Sequence, residues 1–226
     1  MREDCNDIRD RFLLAILPHV VFEGWSEAAI VAGTRDLKNY SEFDSETFER
    51  SFPGGLRELA THFANWTDRS MLVEMGKLDM SSLKMRERIS ASLRCRIKVL
   101  SPHREAVRCC MSFLTSPLYA GIALKCTYNT VSEIWYGVGD QSTDFNFYSK
   151  RAILAPVLGS TILYWLSDEG DGQGNFPDTW AFIDRRIADV LNIFGARHKL
   201  SKRFSNFPKP LSVCKRIISA TVRNRV

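Results

Sequence analysis

Apolar residues in this chain return every three or four positions through segment after segment, and alternating β-branched runs bounded by turns hardly occur. A chain patterned this way buries its apolar side chains only by packing helix on helix. Proline and glycine set the segments. Cys5–Leu17 stacks Ile8, Phe12, Ala15 and Ile16 at helical spacing and is expected to stop at Pro18. Ser26 reads as the N-cap of a second helix reaching about Leu37, with Trp25 packing outside it. A short helix over Ser45–Phe52 is closed by Pro53-Gly54-Gly55. Longer helices follow over Leu56–Met75, Leu83–Leu100, Arg104–Leu114, Leu118–Trp135 and Asn146–Leu166, the last kinked at Pro156. A loop rich in Gly and Asp, Asp168–Pro177, leads to Asp178 as N-cap of a helix to about Phe194. Pro208 and Pro210 set apart a final segment, Leu211–Val222. The expected fold class is all-α.

A chain of 226 residues is long enough for a substantial core. Its longest uncharged apolar stretch, Ala152–Leu166, has 15 residues and contains Pro156. That falls short of the roughly 20 needed to span a bilayer, so no spanning helix is expected. Glu3, Asp4, Asp7 and Asp10 argue against a transit peptide, and Phe12–Leu17 is too short for a secretory core. The six cysteines (Cys5, Cys95, Cys109, Cys110, Cys126, Cys214) form no CxxC and read as reduced thiols. The compartment expected from these features is the cytoplasm of a bacterial-type cell.

Charge is segregated. Residues 197–226 carry nine Lys or Arg and no Asp or Glu, whereas the other 196 hold 22 basic and 26 acidic side chains. A body of −4 with a tail of +9 points to an anionic partner surface, either nucleic acid or lipid headgroups. Within Leu211–Val222 the apolar residues Leu211, Cys214, Ile217, Ile218 and Val222 trace one helical stripe, and Lys215 and Arg216 lie off it. An apolar stripe bordered by bases is the makeup of an interfacial helix, and each base near an anionic leaflet adds about 1 kcal/mol. These seven residues are the candidate membrane contacts, which places the chain peripherally on the inner membrane.

Three short helices followed by longer ones resemble the layout of TetR-type regulators, a helix-turn-helix unit ahead of a ligand-binding helical body. The charge of the third helix argues against DNA as the target. Ser41–Arg50 reads SEFDSETFER, in which Glu42, Asp44, Glu46 and Glu49 face Arg50 alone. Phosphates repel such a probe. A DNA-binding regulator using the basic tail is therefore the alternative reading, and nucleic acid is not an expected partner. Enzyme signals are thin. His19, His62, His103 and His198 are scattered, with no HExxH and no Glu-x-x-His, so no metal site is expected. GDGQG (Gly170–Gly174) joins two helices instead of following a strand, and GxSxG is absent. The eight bases of Lys84–Arg108 read as a solvated helix face. No catalytic residue is expected, and the chain is read as a non-enzyme.

Two segments are distinctive. LPHVVFEGWSEAAIVAG (Leu17–Gly33) and GDQSTDFNFYSKRAILAPVLGSTILYW (Gly139–Trp165) resemble the two signatures of the ubiquinone (coenzyme Q) biosynthesis accessory family, the ninth Coq protein. DTWAFIDRRIADV (Asp178–Val190) resembles the helix that follows. The resemblance runs from about Ile8 to Ile193. It implies a TetR-like fold, an isoprenoid lipid or quinone intermediate bound in the helical body, a homodimer and an amphipathic C-terminal helix. It further implies a partner, the di-iron hydroxylase that acts on demethoxy-ubiquinone.

By the same resemblance, Ile134, Asp144, Phe147, Tyr148 and Arg151 form the partner-facing patch. Many relatives have Trp where this chain has Phe147, which keeps apolar area and loses an N–H donor. Phe147 and Tyr148 are the aromatic anchors, with Asp144 and Arg151 at the rim. The implied lipid site lies between Leu118–Trp135 and Asn146–Leu166, with Leu118, Ile122, Cys126, Leu158, Ile162 and Leu163 as lining candidates. Gly121 and Gly159 leave room for a chain to pass. The domain organisation expected is a helix-turn-helix-like unit (1–55), a helical ligand-binding body (56–196) and the basic tail (197–226).

Overall fold

In the computed structural model, which describes residues 2–37, 43–141, 145–172 and 174–190, the first helix runs through the proline expected to end it. Helix α1 spans Arg2–Glu23 with Pro18 inside. A proline in a helix interior costs about 3 kcal/mol, because the carbonyl four residues earlier loses its amide. Here that carbonyl belongs to Leu14, an exposed position where water can serve it. On the other side Phe12, Leu13, Ile16, Leu17 and Val20 form one buried stripe. Each such side chain contributes about 1.5–3 kcal/mol on burial, so packing outweighs the proline.

Helix α2 (Glu27–Asp36) starts where expected, with Ser26 Oγ accepting from the Ala29 amide at 3.4 Å. It lies so close to α1 that a Cβ on Gly33 would stand 2.6 Å from Ile16 Cα, an approach only glycine allows. Helix α3 (Ser45–Ser51) is capped by Asp44, whose Oδ1 accepts from the Thr47 amide at 2.7 Å. Phe43 and Phe48 meet Phe12 edge-on, with ring centroids 5.1 and 5.4 Å apart.

Five longer helices follow: α4 (Leu56–Gly76), α5 (Met85–Leu100), α6 (Arg104–Leu114), α7 (Ala120–Gly137) and α8 (Phe145–Ser167). Pro156 lies inside α8. Short 3₁₀ turns at Met80–Ser82, Ser101–His103 and Pro117–Tyr119 precede α5, α6 and α7. Helix α4 packs against α1, α5 and α7, while α7 packs against α8. Residues 177–190 form α9, and no strand occurs among the described residues. Phe12, Phe43 and Phe52 share one apolar cluster with Phe63, Val107 and Trp165, so the opening helices and the later ones have a common core. The chain divides into two compact units, Met1–Asp184 and Arg185–Val226. The segment Leu211–Val222 lies outside the described residues.

The start of α9 differs from expectation. Its helical residues begin at Pro177, a favoured first position because its missing amide is unpaired there anyway. Asp178 is thus inside the helix, and the capping carboxylate comes from Asp168. Asp168 Oδ2 accepts from the Thr179 amide at 2.9 Å and from the Thr179 hydroxyl at 2.6 Å, and Oδ1 accepts from the Gly170 amide at 2.9 Å. Burial pushes this carboxyl up, but these donors outweigh it and hold it below the usual carboxylate range. The positive φ of Gly170, Gly172 and Gly174 lets the loop turn tightly enough to present it.

Candidate functional site

Where α4, α5, α6, α7 and α8 converge, they leave a cavity of about 280 Å³. Small residues open it: Ala60 and Ala64 on α4, Ala123 on α7 and Gly159 on α8. A Cβ on Gly159 would meet nothing within 4 Å. Phe63, Leu100, Val107, Leu114 and Leu158 supply apolar wall. The polar groups of the wall are mostly satisfied within the protein. Thr67 donates to the Phe63 carbonyl at 2.8 Å, Thr127 to the Ala123 carbonyl at 2.9 Å and Thr115 to the Ser112 carbonyl at 2.6 Å. With those protons spent on the backbone, the threonines offer a ligand little beyond their methyl groups.

One part of the wall is charged. Arg96 Nη1 donates to Asp68, and Thr130 Oγ1 donates to the same carboxylate, at 2.9 Å to Oδ1 and 3.2 Å to Oδ2. Burial pushes the Asp68 carboxyl up, against the Arg96 guanidinium and the Thr130 hydroxyl. Burial also raises the Cys110 and Cys126 thiols of the wall, which leaves them protonated and unreactive.

Of the six lining candidates, Cys126, Leu158 and Ile162 face this cavity. Ile122 is half-buried and off its wall, while Leu118 is 76% exposed and Leu163 60% exposed. Leu118 belongs to the 3₁₀ turn Pro117–Tyr119, not to α7, so the stripe extrapolated back to it does not apply. Leu163 follows Ile162 by 100° of helical turn, enough to carry it from the wall to solvent. Arg96 was missed, since nothing in a basic helix face marks the one residue that points inward.

The end of α7 and the start of α8 form a second feature. Tyr148 is 65% exposed, and its ring meets Phe147 at 5.1 Å between centroids. Tyr136, also exposed and not singled out from the sequence, extends the cluster at 6.5 Å from Phe147. Arg151 is only 2% exposed and does not stand at a rim. Its guanidinium stacks on Phe147 at 3.3 Å from the ring centroid, and its Nε donates to Ser132 Oγ at 2.9 Å. It therefore holds the aromatic ring in place. Ile134 is fully buried and offers no contact surface. Asp144 lies outside the described residues. Lys150 braces the connection from beneath through Asp140, at 2.5 Å.

Elsewhere, α3 turns Asp44, Glu46 and Glu49 to solvent, and its one base, Arg50, is paired to Glu46 at 3.9 Å. Such a face opposes a phosphate backbone. No group of three or more His, Cys, Asp or Glu is placed to hold a metal among the described residues. No single described helix is long and apolar enough to cross a membrane. Met85–Leu114 and Pro117–Gly137 pass that test only as a pair, and they bend by 97°.

The COQ9 family model matches residues 120–193, which include α7, α8 and α9. The rat ubiquinone biosynthesis protein COQ9, mitochondrial, is 30% identical over 200 residues, a span that covers 84% of this chain and 61% of the rat protein. This chain belongs to the COQ9 family. The human COQ9 protein is 28% identical over 200 residues (84% of this chain, 60% of its own length), and that of Drosophila melanogaster 30% over 191 (82% and 56%). The chain thus spans about three fifths of the length of these COQ9 relatives. The COQ9 family match takes in the α7 and α8 walls of the cavity and the aromatic cluster together.

Proposed function

We propose that this chain is a non-catalytic accessory protein of ubiquinone biosynthesis that shelters a polyprenyl quinone intermediate and presents it to the demethoxy-ubiquinone hydroxylase. The observation that carries the reading is the cavity between α4 and α8, whose walls are largely apolar or internally satisfied. A polyprenyl intermediate is nearly insoluble in water, and an apolar cavity lowers the cost of drawing it out of a bilayer. The relatives' names, ubiquinone biosynthesis protein COQ9, supply the pathway. In the proposal the homodimer docks on an anionic membrane surface through Leu211, Cys214, Lys215, Arg216, Ile217, Ile218 and Val222. Tyr136, Phe147 and Tyr148 meet the hydroxylase.

Filling the cavity tests the carrier. Gly159→Leu places a side chain where no atom lies within 4 Å of the new Cβ, and it replaces a helix-interior glycine that costs about 1 kcal/mol. The expected outcome is an unchanged or raised melting temperature. Mass spectrometry should then find at least a tenfold smaller amount of co-purified isoprenoid than in the wild type. Equal lipid in the two preparations, or none in either, ends the carrier reading.

A further inference from the structure

Leu118 and Leu163, which miss the cavity wall, stand at its edge, and they have company there. On α7, Leu124 is 72% exposed and follows the wall residue Ala123, while Tyr128, also exposed, follows the wall residue Thr127. On α8, Leu163 follows the wall residue Ile162, and Leu118 lies three positions beyond the wall residue Thr115. One step along a helix turns a side chain by about 100°, so Leu124, Tyr128 and Leu163 each leave the wall for the solvent beside it. The wall itself is uncovered on this side. Thr115 is exposed and Ala123, Gly159 and Ile162 are half-buried, whereas Phe63 and Leu100 are buried. The cavity therefore has its mouth where the end of α6, the start of α7 and the second half of α8 meet, and exposed leucines ring it.

Charge decides what covers this rim. Between Arg108 and Glu133 the chain holds one charged residue, Lys125, and between Arg151 and Asp168 it holds none. The exposed Leu78 and Met85, by contrast, are interleaved with Lys77, Asp79, Lys84 and Arg86. An apolar rim that carries no carboxylate has nothing to repel anionic headgroups. Leu118 projects from the 3₁₀ turn Pro117–Tyr119, a tip that fluid acyl chains can close around. Tyr128 and Lys125, both exposed, are residue types that keep a polar end among headgroups while the stem lies in hydrocarbon. A second copy of the chain seated on the rim would shut the mouth. A bilayer leaves it open to the acyl layer.

We propose that Leu118, Leu124 and Leu163, bordered by Tyr128 and Lys125, form a bilayer-inserting surface of the helical body that opens the cavity directly into the acyl layer. The basic tail draws the chain to the membrane, and the rim inserts once the chain is held there. The inference rests on the carrier reading for what passes through the mouth, and stands apart from it for the insertion.

The test places a photoreactive benzophenone amino acid in the full chain at position 118, 124 or 46 in turn, the last being Glu46, an exposed control on α3. Each protein is irradiated on vesicles of phosphatidylcholine and phosphatidylserine, and lipid adducts are counted by mass spectrometry. Adducts at 118 and 124 should exceed those at 46 by at least about tenfold, because only inserted side chains reach acyl chains. Equal adducts at the three positions overturn the insertion. Cross-links to a second chain at 118 or 124 overturn it in favour of an interface between copies. The double variant Leu118→Asp, Leu124→Asp puts two carboxylates on the rim at surface positions. It should keep sedimentation on the same vesicles within about threefold, since the tail carries that. It should slow the transfer of a deuterated prenyl benzoquinone between vesicles by at least about tenfold, since charge on the rim opposes insertion. Transfer at the wild-type rate in this variant overturns the mouth. A wild-type chain that transfers none ends the carrier reading, while the adducts at 118 and 124 still decide the insertion.

Discussion

His62 joins α4 to α1 through a hydrogen bond and shows how much of this chain's polar chemistry is structural. Its Nε2 lies 2.7 Å from Asp10 Oδ1, and Arg69 grips the same carboxylate at 2.6 and 2.7 Å. Arg9 pairs with Glu58 at 2.8 Å beside it. Burial, helped by Arg9 and opposed by Asp10, pushes His62 down to about 4. In the folded chain the ring is therefore neutral above that value, while in the unfolded chain it takes up a proton near 6.5. Between pH 6.5 and 4 the unfolded state binds more protons, so stability falls as pH falls. The loss is about 1.4 kcal/mol per unit, or about 3 kcal/mol over the window. Urea unfolding at steps from pH 7 to 4 should show this slope, and His62→Gln should flatten it by about one proton. Equal slopes in the two proteins would overturn the assignment. In the sequence His62 is one of four scattered histidines and its partner is invisible, because Asp10 comes from another helix. Arg96 was hidden for the same reason. It is one of eight bases over Lys84–Arg108, and only packing separates it from Arg88, Arg104 and Arg108, which donate to backbone carbonyls of other segments.

At the scale of elements, the periodicity of apolar residues located every described helix, because burial demands a stripe wherever a helix packs. Boundaries followed when the stop signal was local. Ser26 caps α2, and α6 spans Arg104–Leu114 as expected. They failed where tertiary contacts overrode a local signal, as when the buried stripe of α1 carried it through Pro18, or when Asp168 capped α9 from the preceding loop. The start of α8 shows the same division. The resemblance marked Phe147, Tyr148 and Arg151 as one patch, but only geometry separates the outward rings from the guanidinium that holds them. Exposed Tyr148 is the position to change. Tyr148→Lys should leave the melting temperature within about 1 °C, since surface substitutions shift stability by less than about 0.5 kcal/mol. Pull-down of the hydroxylase should weaken at least tenfold, as expected for an aromatic anchor. Arg151→Ala, by contrast, should lower the melting temperature because Phe147 and Ser132 lose their shared partner. Full pull-down by Tyr148→Lys places the contact elsewhere.

For the whole molecule, the cavity could not be read from the sequence. Stripes that line a void and stripes that fill a core are written in the same residues, and Cys126, Leu158 and Ile162 differ from their neighbours only in what α4 and α6 fail to place opposite them. Charge is the opposite case, since its segregation is visible without any fold. Residues 197–226 hold nine bases and no acid against a body of net −4. With about 1 kcal/mol per base near an anionic leaflet, even a few engaged side chains suffice for reversible attachment. Deleting residues 197–226 should therefore abolish most co-sedimentation with vesicles rich in phosphatidylserine, while the far-UV spectrum of the remaining helices persists. The full chain should be released progressively between 50 and 500 mM salt, because the screening length shrinks from above 10 Å to below 5 Å over that range. Replacing Ile217 and Ile218 by Ser separates the two contributions. It should weaken sedimentation on anionic vesicles and abolish what salt does not remove, because the apolar stripe inserts where the bases only attract. Vesicle binding that survives the deletion would move the membrane contact onto the helical body.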